Sequence, residues 1–560
     1  SVSKAAAQLL LNRGYDDPVE ARRFLESPLS GLHSPELLPG IDAAADRLAA
    51  AIRDKKPVCI YGDYDTDGIT GTAILLQLLE RLHVPATFHM PHRLETGYGL
   101  RVEALQQLKA AGTQMVVTVD CGITAVEEAE EARRLGIELI ITDHHEPAGT
   151  LPACDALVHP RLPGSKYPFA GLSGAGVAFK LAWALCQRLS GSDKVTPEFR
   201  EFLVDAVAMA AVGLIADVMP LHDENRIFVK RGLNRIQHQP TMGLKALLES
   251  ACMIPGQPLR AEDVAFKLAP RLNAAGRLGC ARLVVELLTT RHEQKARELA
   301  AYLDGQNKER QSLERRITRE AKERLEKHDL TGLPAIVLDD ADWHPGVIGI
   351  VAGRLSEAFG KPALLIGCGA DPATGSGRSI PGFPLHEVLA ACSTHLISHG
   401  GHAAAAGFRV ACDRIAPFRE MFLEHAAARF PTGVPPAPVL RLDAEVPLSS
   451  LTFDLLNEIE QLEPYGAQNP RPKFLAGGLE LAGEPRKIGN GERHLSFRVR
   501  QAGTTIRAVA FGMADRLEEL TSAGGKCCLA FTPRLNEWNG YRSVEIDVTD
   551  FQPGPTATLG

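Results

Sequence analysis

Several absences narrow the field first. The chain of 560 residues has no run of about 18 uncharged apolar residues, so no segment reads as a membrane span. Its 11 cysteines are odd in number and scattered, and none forms a C-x-x-C pair. That argues against a structural zinc ribbon and predicts free thiols in a reducing, cytoplasmic compartment. The start, SVSKAAAQLLLNRGY, lacks a signal-peptide cleavage pattern and a Met, which predicts a processed start. An excess of positive charge is also missing. Lys and Arg total 61 against 68 Asp and Glu, a formal net charge of −7. A nucleic-acid partner would therefore need a local basic surface. No internal repeat is found.

What is present suits a multidomain globular protein. The length predicts roughly three or four domains, and a hydrophobic content of 45% allows sizeable cores. Residues 1–50 read as short helices punctuated by Pro and Gly. From about residue 57 the texture becomes strand, helix, strand. VCIYGD (58–63), MVVTVD (115–120) and IELIITD (137–143) read as strands, with helical periodicity in TGTAILLQLLERL (70–82) and AVEEAEEARRLG (125–136). Such alternation predicts right-handed βαβ units and a parallel sheet. Each of the three strands ends in an aspartate: Asp63, Asp120 and Asp143. Parallel strands carry their carboxyl ends to one edge, where α/β proteins build their sites. A Pro-free stretch of mixed charge at 291–328 reads as one long connecting helix with a solvated face. Strand–helix texture resumes at PAIVLDD (334–340). After PTGVPPAP (431–438) the short alternating runs suggest a small β-barrel.

The chemistry gathers at those strand ends. YGDYDTDG (61–68) places Asp63, Asp65 and Asp67 at alternate positions. A calcium loop counted from Asp63 would need Glu at its twelfth position, where the chain has Ile74. A solvated turn is the bland alternative. A metal site gains weight because Asp120 and Asp143-His144-His145 end neighbouring strands, and because GLIADVMPL adds Asp217 within an apolar segment. An unpaired buried carboxylate there is costly. Aspartate and histidine without cysteine favour Mn²⁺ or Mg²⁺. Four carboxylates would neutralise two divalent ions, the apparatus of phosphoester hydrolysis with ions about 3.5–4 Å apart.

GDYDTDG, VTVDCGIT, ITDHHEP and GLIADVMP resemble, in order, the four signature motifs of the DHH phosphoesterase family. RLNAAGRLG (271–279), DWHPGVIGIVAGRL (342–355), SGRSIPGFPL (376–385), GGHAAAAGF (400–408) and EPYGAQNPRPKF (463–474) narrow the likeness to its bacterial branch of single-strand-specific 5′→3′ DNA exonucleases. The resemblance runs from about residue 55 to the C-terminal end. It implies two α/β domains, DHH and DHH-associated, joined by a long helix and followed by an OB-like barrel. The expected boundaries are 1–50 for a helical segment, 51–290 for DHH, 291–328 for the helix, 329–430 for the DHH-associated domain and 439–560 for the barrel. It implies Asp65, Asp67, Asp120, His144 and Asp217 as ligands of two Mn²⁺ or Mg²⁺ ions, with Asp120 bridging. His145 matches a position that contacts the scissile phosphate, and Asp63 could orient a ligand. Many small relatives carry a histidine four residues before the aspartate matching Asp65. This chain has Tyr61 there, which implies one more weakly held metal.

For the substrate, Arg378 and Ser379 offer a guanidinium and a hydroxyl to phosphate. Gly400, Gly401 and His402 offer backbone N–H groups and an imidazole, against a tight loop feeding a helix as the bland reading. Arg271, Asn273 and Arg277 are expected at a nucleotide phosphate, with an internal salt bridge as the alternative. In the barrel, Arg498 and Arg507 with Trp538 and Tyr541 fit a single-strand groove of cations and rings. Arg486, Lys487, Arg493, Arg500, Arg534 and Arg542 add charge, and Phe497 and Phe511 are either rings for bases or core. The expected activity is release of 5′-mononucleotides from single-stranded DNA in recombination and repair. A monomer is expected, with single-strand-binding protein and a RecQ-type helicase as implied partners. Competing readings are a small-substrate DHH phosphodiesterase or pyrophosphatase, which would lack a barrel, and a catalytically dead binding scaffold, which would have lost aspartates.

Overall fold

The computed structural model describes residues 2–556 except 92–97, 148, 255, 328–329, 331, 431, 433–434, 436–438, 523 and 539. The proline-rich boundary expected at 431–438 lies largely outside the described residues.

The first α/β unit is built on five parallel strands: β1 (Val58–Tyr61), β2 (Ala86–His89), β3 (Met115–Thr118), β4 (Glu138–Thr142) and β5 (Ala156–Val158). Their order is β2-β1-β3-β4-β5. Strands β1 and β3 are buried along their whole length, and β4 along all but its first residue. This is why they read as continuous apolar runs, since helices cover both faces of a parallel sheet. One face carries the helices Thr66–Arg81 and Gly174–Ser190, with Pro197–Ala216 stacked beyond. The other carries Val102–Ala110 and Val126–Leu135. The chain order turns back between β1 and β3, and at such a switch point the loops leaving two neighbouring strands part and open a crevice.

The helix Glu293–Leu325 runs for 33 residues, as the charge pattern suggests. Its solvated face is only part of its surface. Ala296, Ala300, Leu303, Asn307, Arg310, Glu314, Ile317, Ala321 and Leu325 are buried at alternating steps of mostly three and four, a stripe packed on both neighbouring domains. The second α/β unit is a mixed sheet, β6 (Ile336–Asp340), β7 (Ala363–Gly367), β8 (Ala373–Arg378), β9 (Ser398–Gly401) and β10 (Ala405–Val410), in the order β6-β7-β8-β10-β9.

The third sheet has seven strands: β11 (Ala444–Glu445), β12 (Phe474–Leu481), β13 (Arg486–Ile488), β14 (His494–Gln501), β15 (Thr504–Ala510), β16 (Lys526–Trp538) and β17 (Tyr541–Pro553). An extra β12–β14 pairing curls the sheet into a barrel. Leu9, Leu10 and Phe24, from the helices Lys4–Asn12 and Pro18–Glu26, pack into this barrel's core. The two ends of the chain therefore share one hydrophobic cluster. Among the described residues no helix is long and apolar enough to cross a membrane, and all 11 cysteines are free thiols.

Candidate metal centre

Four chain segments deliver carboxylates and imidazoles to the carboxyl edge of β1, β3 and β4. Asp63 and Asp65 follow β1. Asp65 caps the helix Thr66–Arg81, its Oδ1 accepting from the Asp67 and Gly68 amides at 3.0 and 3.1 Å. Asp67 then points from the first turn into the site. Its carboxylate accepts from the Gly174 and Ala175 amides at 2.6 and 3.2 Å, at the start of another helix. Asp120 follows β3 with φ of +65°, a left-handed turn that swings its side chain inward. His144 and His145 follow β4. Asp217 is the C-cap of Pro197–Ala216. Its side chain is about one-third exposed, so it faces the cleft rather than an apolar interior.

Side chains this close need neighbours without bulk. A Cβ on Gly174 would lie 2.6 Å from Asp120 Oδ1, and one on Gly213 2.5 Å from Asp67 Oδ1.

The atoms converge. His144 Nε2 lies 3.0 Å from Asp120 Oδ1, 3.6 Å from Asp217 Oδ2 and 3.9 Å from Asp67 Oδ2. Three groups each bring their donor atoms within 4.8 Å of one another: Asp67-His144-Asp217, Asp63-Asp65-Asp120 and Asp120-His144-His145. Asp120 Oδ1 and both His144 ring nitrogens are buried without a hydrogen-bond partner. Orphaned buried acceptors are costly in a protein interior, and this set is the oxygen-plus-imidazole chemistry that Mn²⁺ or Mg²⁺ accepts.

Electrostatics point the same way. Burial, then the neighbouring Asp65, pushes the Asp67 carboxyl up to about 7. Burial, then Asp67 and Asp65, pushes Asp217 up to about 8. Asp120 is raised well above the usual carboxylate range by burial and by Asp67, Asp65 and Asp217. Burial holds His144 down at about 3, and so neutral and able to ligate. His145 differs. Burial alone would lower it, but its hydrogen bond to Asp143 (Nδ1 to Oδ1, 2.8 Å) and nearby carboxylates raise it to about 9. Asp143 stays ionised at about 2. Burial opposes this, but the His145 hydrogen bond and the Ile123 amide outweigh it.

Residues 57–211 match the DHH family N-terminal domain, 332–427 the DHHA1 domain and 442–550 the RecJ OB domain. The chain is 38% identical over 551 residues to the single-stranded-DNA-specific exonuclease RecJ of Bacillus subtilis (strain 168), covering 98% of this chain and 68% of that protein. It is 34% identical to RecJ of Escherichia coli (strain K12), covering 96% of this chain and 94% of that one. The crystal structure of RecJ in complex with Mn²⁺ from Thermus thermophilus matches with a TM-score of 0.84 at 35% identity, covering 100% of this chain and 77% of that one. The chain belongs to the RecJ family.

The other RecJ-type residues named from sequence are placed as follows. Asn273 accepts from the Thr66 amide and hydroxyl at 2.9 and 2.8 Å, which fixes the turn between Asp65 and Asp67. Arg277 donates to the Gly346 carbonyl at 3.1 Å and so reaches the second α/β unit. Arg271 pairs with Asp304 of the long helix at 2.8 Å, the internal salt bridge that was the alternative. Arg378 donates to the Gly377 carbonyl at 2.8 Å and packs beside Gly349. The Ser379 hydroxyl donates to the Phe383 carbonyl at 2.7 Å. Gly400 and Gly401 form exposed β9, and His402 sits in its turn to β10. HGGHAAAAGF is thus a β-hairpin, not a loop feeding a helix, because its alternating small residues pair across β8, β10 and β9.

In the barrel, Arg498 is exposed opposite Arg507 on the adjacent strand, and Arg507 also pairs with Glu545 at 2.9 Å. Tyr541 is 83% exposed. Trp538 ends β16, and its side chain lies outside the described residues. Phe497 is core and Phe511 is exposed.

Sequence reasoning missed two contributors. One is the Ser173-Gly174-Ala175 helix start that holds Asp67. Its signal was a Ser before a small-residue run, a helix N-terminus pattern. The other is Tyr98. Its hydroxyl donates to the Asp120 carbonyl and lies 3.0 Å from His145 Nδ1. No motif in the local sequence marks it.

Proposed function

We propose that this chain is a metal-dependent 5′→3′ exonuclease that degrades single-stranded DNA to 5′-mononucleotides in recombination and repair. The observation that carries the reading is the convergence of Asp65, Asp67, Asp120, His144 and Asp217 on one buried edge with orphaned donor atoms, in a chain of the RecJ family. In this reading those five residues hold two Mn²⁺ or Mg²⁺ ions, Asp120 is shared between them, and Asp63 is close enough to Asp65 and Asp120 to serve as a further ligand. Bound there, the ions would supply activation of water and neutralise charge on the phosphate.

The protein supplies orientation. His145 Nδ1 is engaged by Asp143 and Tyr98, leaving Nε2 for the scissile phosphate. Against burial, the Asp143 hydrogen bond raises its pKa, to about 9 without metal, and so favours the protonated ring that donates to an anion. Arg378, Ser379, Gly400, Gly401 and His402 of the DHH-associated domain, with Arg277, grip neighbouring phosphates. Arg498, Arg507, Trp538 and Tyr541 of the barrel take the strand beyond. The enzyme acts as a monomer in the cytoplasm, with single-strand-binding protein and a RecQ-type helicase as partners.

The test is digestion of labelled single strands blocked at either end, in Mn²⁺ or Mg²⁺. The expected outcome is mononucleotide release from free 5′ ends only. Equal release from 5′-blocked strands would refute the direction, and cleavage of duplex at the same rate would refute the substrate.

A further inference from the structure

The helix Asp223–His238 of the catalytic unit places three cations within six positions: Arg226, Lys230 and Arg231. Each donates to backbone carbonyls. Arg226 reaches those of Phe24, Leu462 and Glu463 at 2.7, 2.9 and 2.8 Å. Lys230 donates to Leu25. Arg231 donates to Ser27 and Glu26, both at 2.8 Å. Among the described residues none of the three pairs with a carboxylate within 4.0 Å. Burial, then Arg226 and Arg231, brings the Lys230 ammonium down to about 8, against the weaker pull of Glu26 and Glu463.

The carbonyls they serve close two helices, Pro18–Glu26 and Phe453–Gln461. Capping of helix ends is the bland account of the cluster, and its size can be weighed. A helix C-terminus carries about −0.5 of a charge, so two ends offset about one cation of the three. Lys230 and Arg231, with Asn234, line a cavity of about 300 Å³ between the catalytic unit and the segment leading into the barrel. Its far wall holds Arg260 and Arg471, which pair with Glu460, Glu463 and Glu262. That wall has one carboxylate in surplus. Even with this carboxylate and both helix ends counted, about one positive charge is left over. None of the lining residues is among those that converge at the metal centre.

Donors are left over as well. Lys230 uses one of its three N–H groups, and Arg231 uses Nε and Nη2 but not Nη1. Asn234 is exposed and adds a side-chain amide. Surplus positive charge with unused N–H groups in a concave site suits an anion with several acceptor oxygens. A phosphate monoester has three such oxygens and about −1.5 to −2 of charge at pH 7. Ammonium and guanidinium donors bind it through charge-assisted hydrogen bonds.

We propose that this cavity binds a phosphate group between Lys230 and Arg231, either as free phosphate or on a small phosphomonoester. The bound anion would relieve the repulsion among Arg226, Lys230 and Arg231. It would do so where the catalytic unit meets the N-terminal helices and the barrel's approach segment.

The experiment is titration calorimetry of the full chain at fixed ionic strength, with chelator present so that no metal takes the phosphate. The probes are inorganic phosphate, deoxyadenosine 5′-monophosphate and deoxyadenosine. Phosphate and the nucleotide should bind, and the nucleoside should not. Lys230→Gln combined with Arg231→Gln should weaken both by at least about ten-fold, the scale of one charged hydrogen bond. Should that double variant not fold, Asn234→Asp decides. Its position is exposed, and its added negative charge should weaken both ligands by a similar factor. A nucleotide bound at least ten-fold more tightly than phosphate makes the phosphomonoester the ligand, and equal affinity makes it free phosphate. If neither binds, if the nucleoside binds as tightly as the nucleotide, or if the variants bind as the wild type does, the proposal fails.

Discussion

At the scale of single residues, the centre is a set of charges that resist sharing one small volume. In an unfolded chain its aspartates would titrate at about 3.9. Folded and without metal, Asp67 and Asp217 titrate at about 7 and about 8. Groups whose folded values are raised lend stability that is complete below the unfolded value and is lost as pH rises through the folded one. His145, raised to about 9, acts in the same direction above its ordinary value of about 6.5. His144, held at about 3, contributes no slope above that ordinary value. The metal-free protein should therefore melt lower at pH 9 than at pH 6.5. A cation replaces the lost protons, so the rise in Tm on adding Mn²⁺ should be larger at pH 9. Asp120→Ala should cut turnover by at least about 10³-fold, the scale of losing a core electrostatic group. The same change should raise the metal-free Tm at pH 9 by relieving repulsion. Thermal melts with chelator and with Mn²⁺ at the two pH values check this. A Tm gain independent of pH, or full turnover in Asp120→Ala, would overturn the assignment.

At the scale of elements, legibility followed periodicity. β1, β3 and β4 were readable because strands buried on both faces are continuous apolar runs, and the terminal aspartates marked their ends. β2 and β5 were missed. Ala86–His89 is only half-buried, and Ala156–Val158 is three residues long, so neither makes a run. The residues that converge at the candidate metal centre were legible because several motifs agreed. Contacts across long sequence distances were not. Arg226 is the clearest case. It sits in the polar DENR start of the helix Asp223–His238, yet it is 1% exposed. Its guanidinium donates to the carbonyls of Phe24, Leu462 and Glu463 at 2.7, 2.9 and 2.8 Å, with longer contacts to Gln461 and Pro464, and lies over the Phe24 ring. It thus joins the catalytic unit to the N-terminal helices and the barrel's approach segment. Arg226→Met keeps the volume, and Ser27 and Asn469 still donate to the Phe24, Leu462 and Pro464 carbonyls, but the Glu463 carbonyl loses the Arg226 donor, at about 1–3 kcal/mol. Urea unfolding should show a loss of about 1–3 kcal/mol, with metal binding at the distant centre retained by calorimetry. A loss under about 1 kcal/mol would mean that water replaces the guanidinium.

At the scale of the whole molecule, the arrangement makes the barrel part of one body with the catalytic unit. Leu9, Leu10 and Phe24 belong to its core, so deleting the barrel would expose apolar surface at the N-terminus and confuse binding with folding. Substitutions on its surface give a cleaner test. Arg498 and Arg500 alternate onto one face of β14. Arg507 lies opposite Arg498 on β15, and Arg486 lies opposite Ser496 on β13. Like charges directly opposed across a sheet are destabilising. Glu545 and Glu480 offset part of this by pairing with Arg507 and Arg500. Arg486 and Arg498 are exposed on the same face, and a polyanion would offset the remainder. In the function proposed above, this basic face is where a chain of net charge −7 would hold DNA. Each phosphate contact on a single strand contributes about 0.7 to the slope of log affinity against log salt. Replacing Arg486 and Arg498 by Gln should therefore flatten that slope by about 1.4 for long single strands. Hydrolysis of strands too short to reach the barrel should be unchanged, because neither residue adjoins the metal centre. Fluorescence anisotropy across a salt series gives the slope. An unchanged slope with unchanged affinity would mean that the DNA passes along another side of the barrel, and that this face is merely solvated.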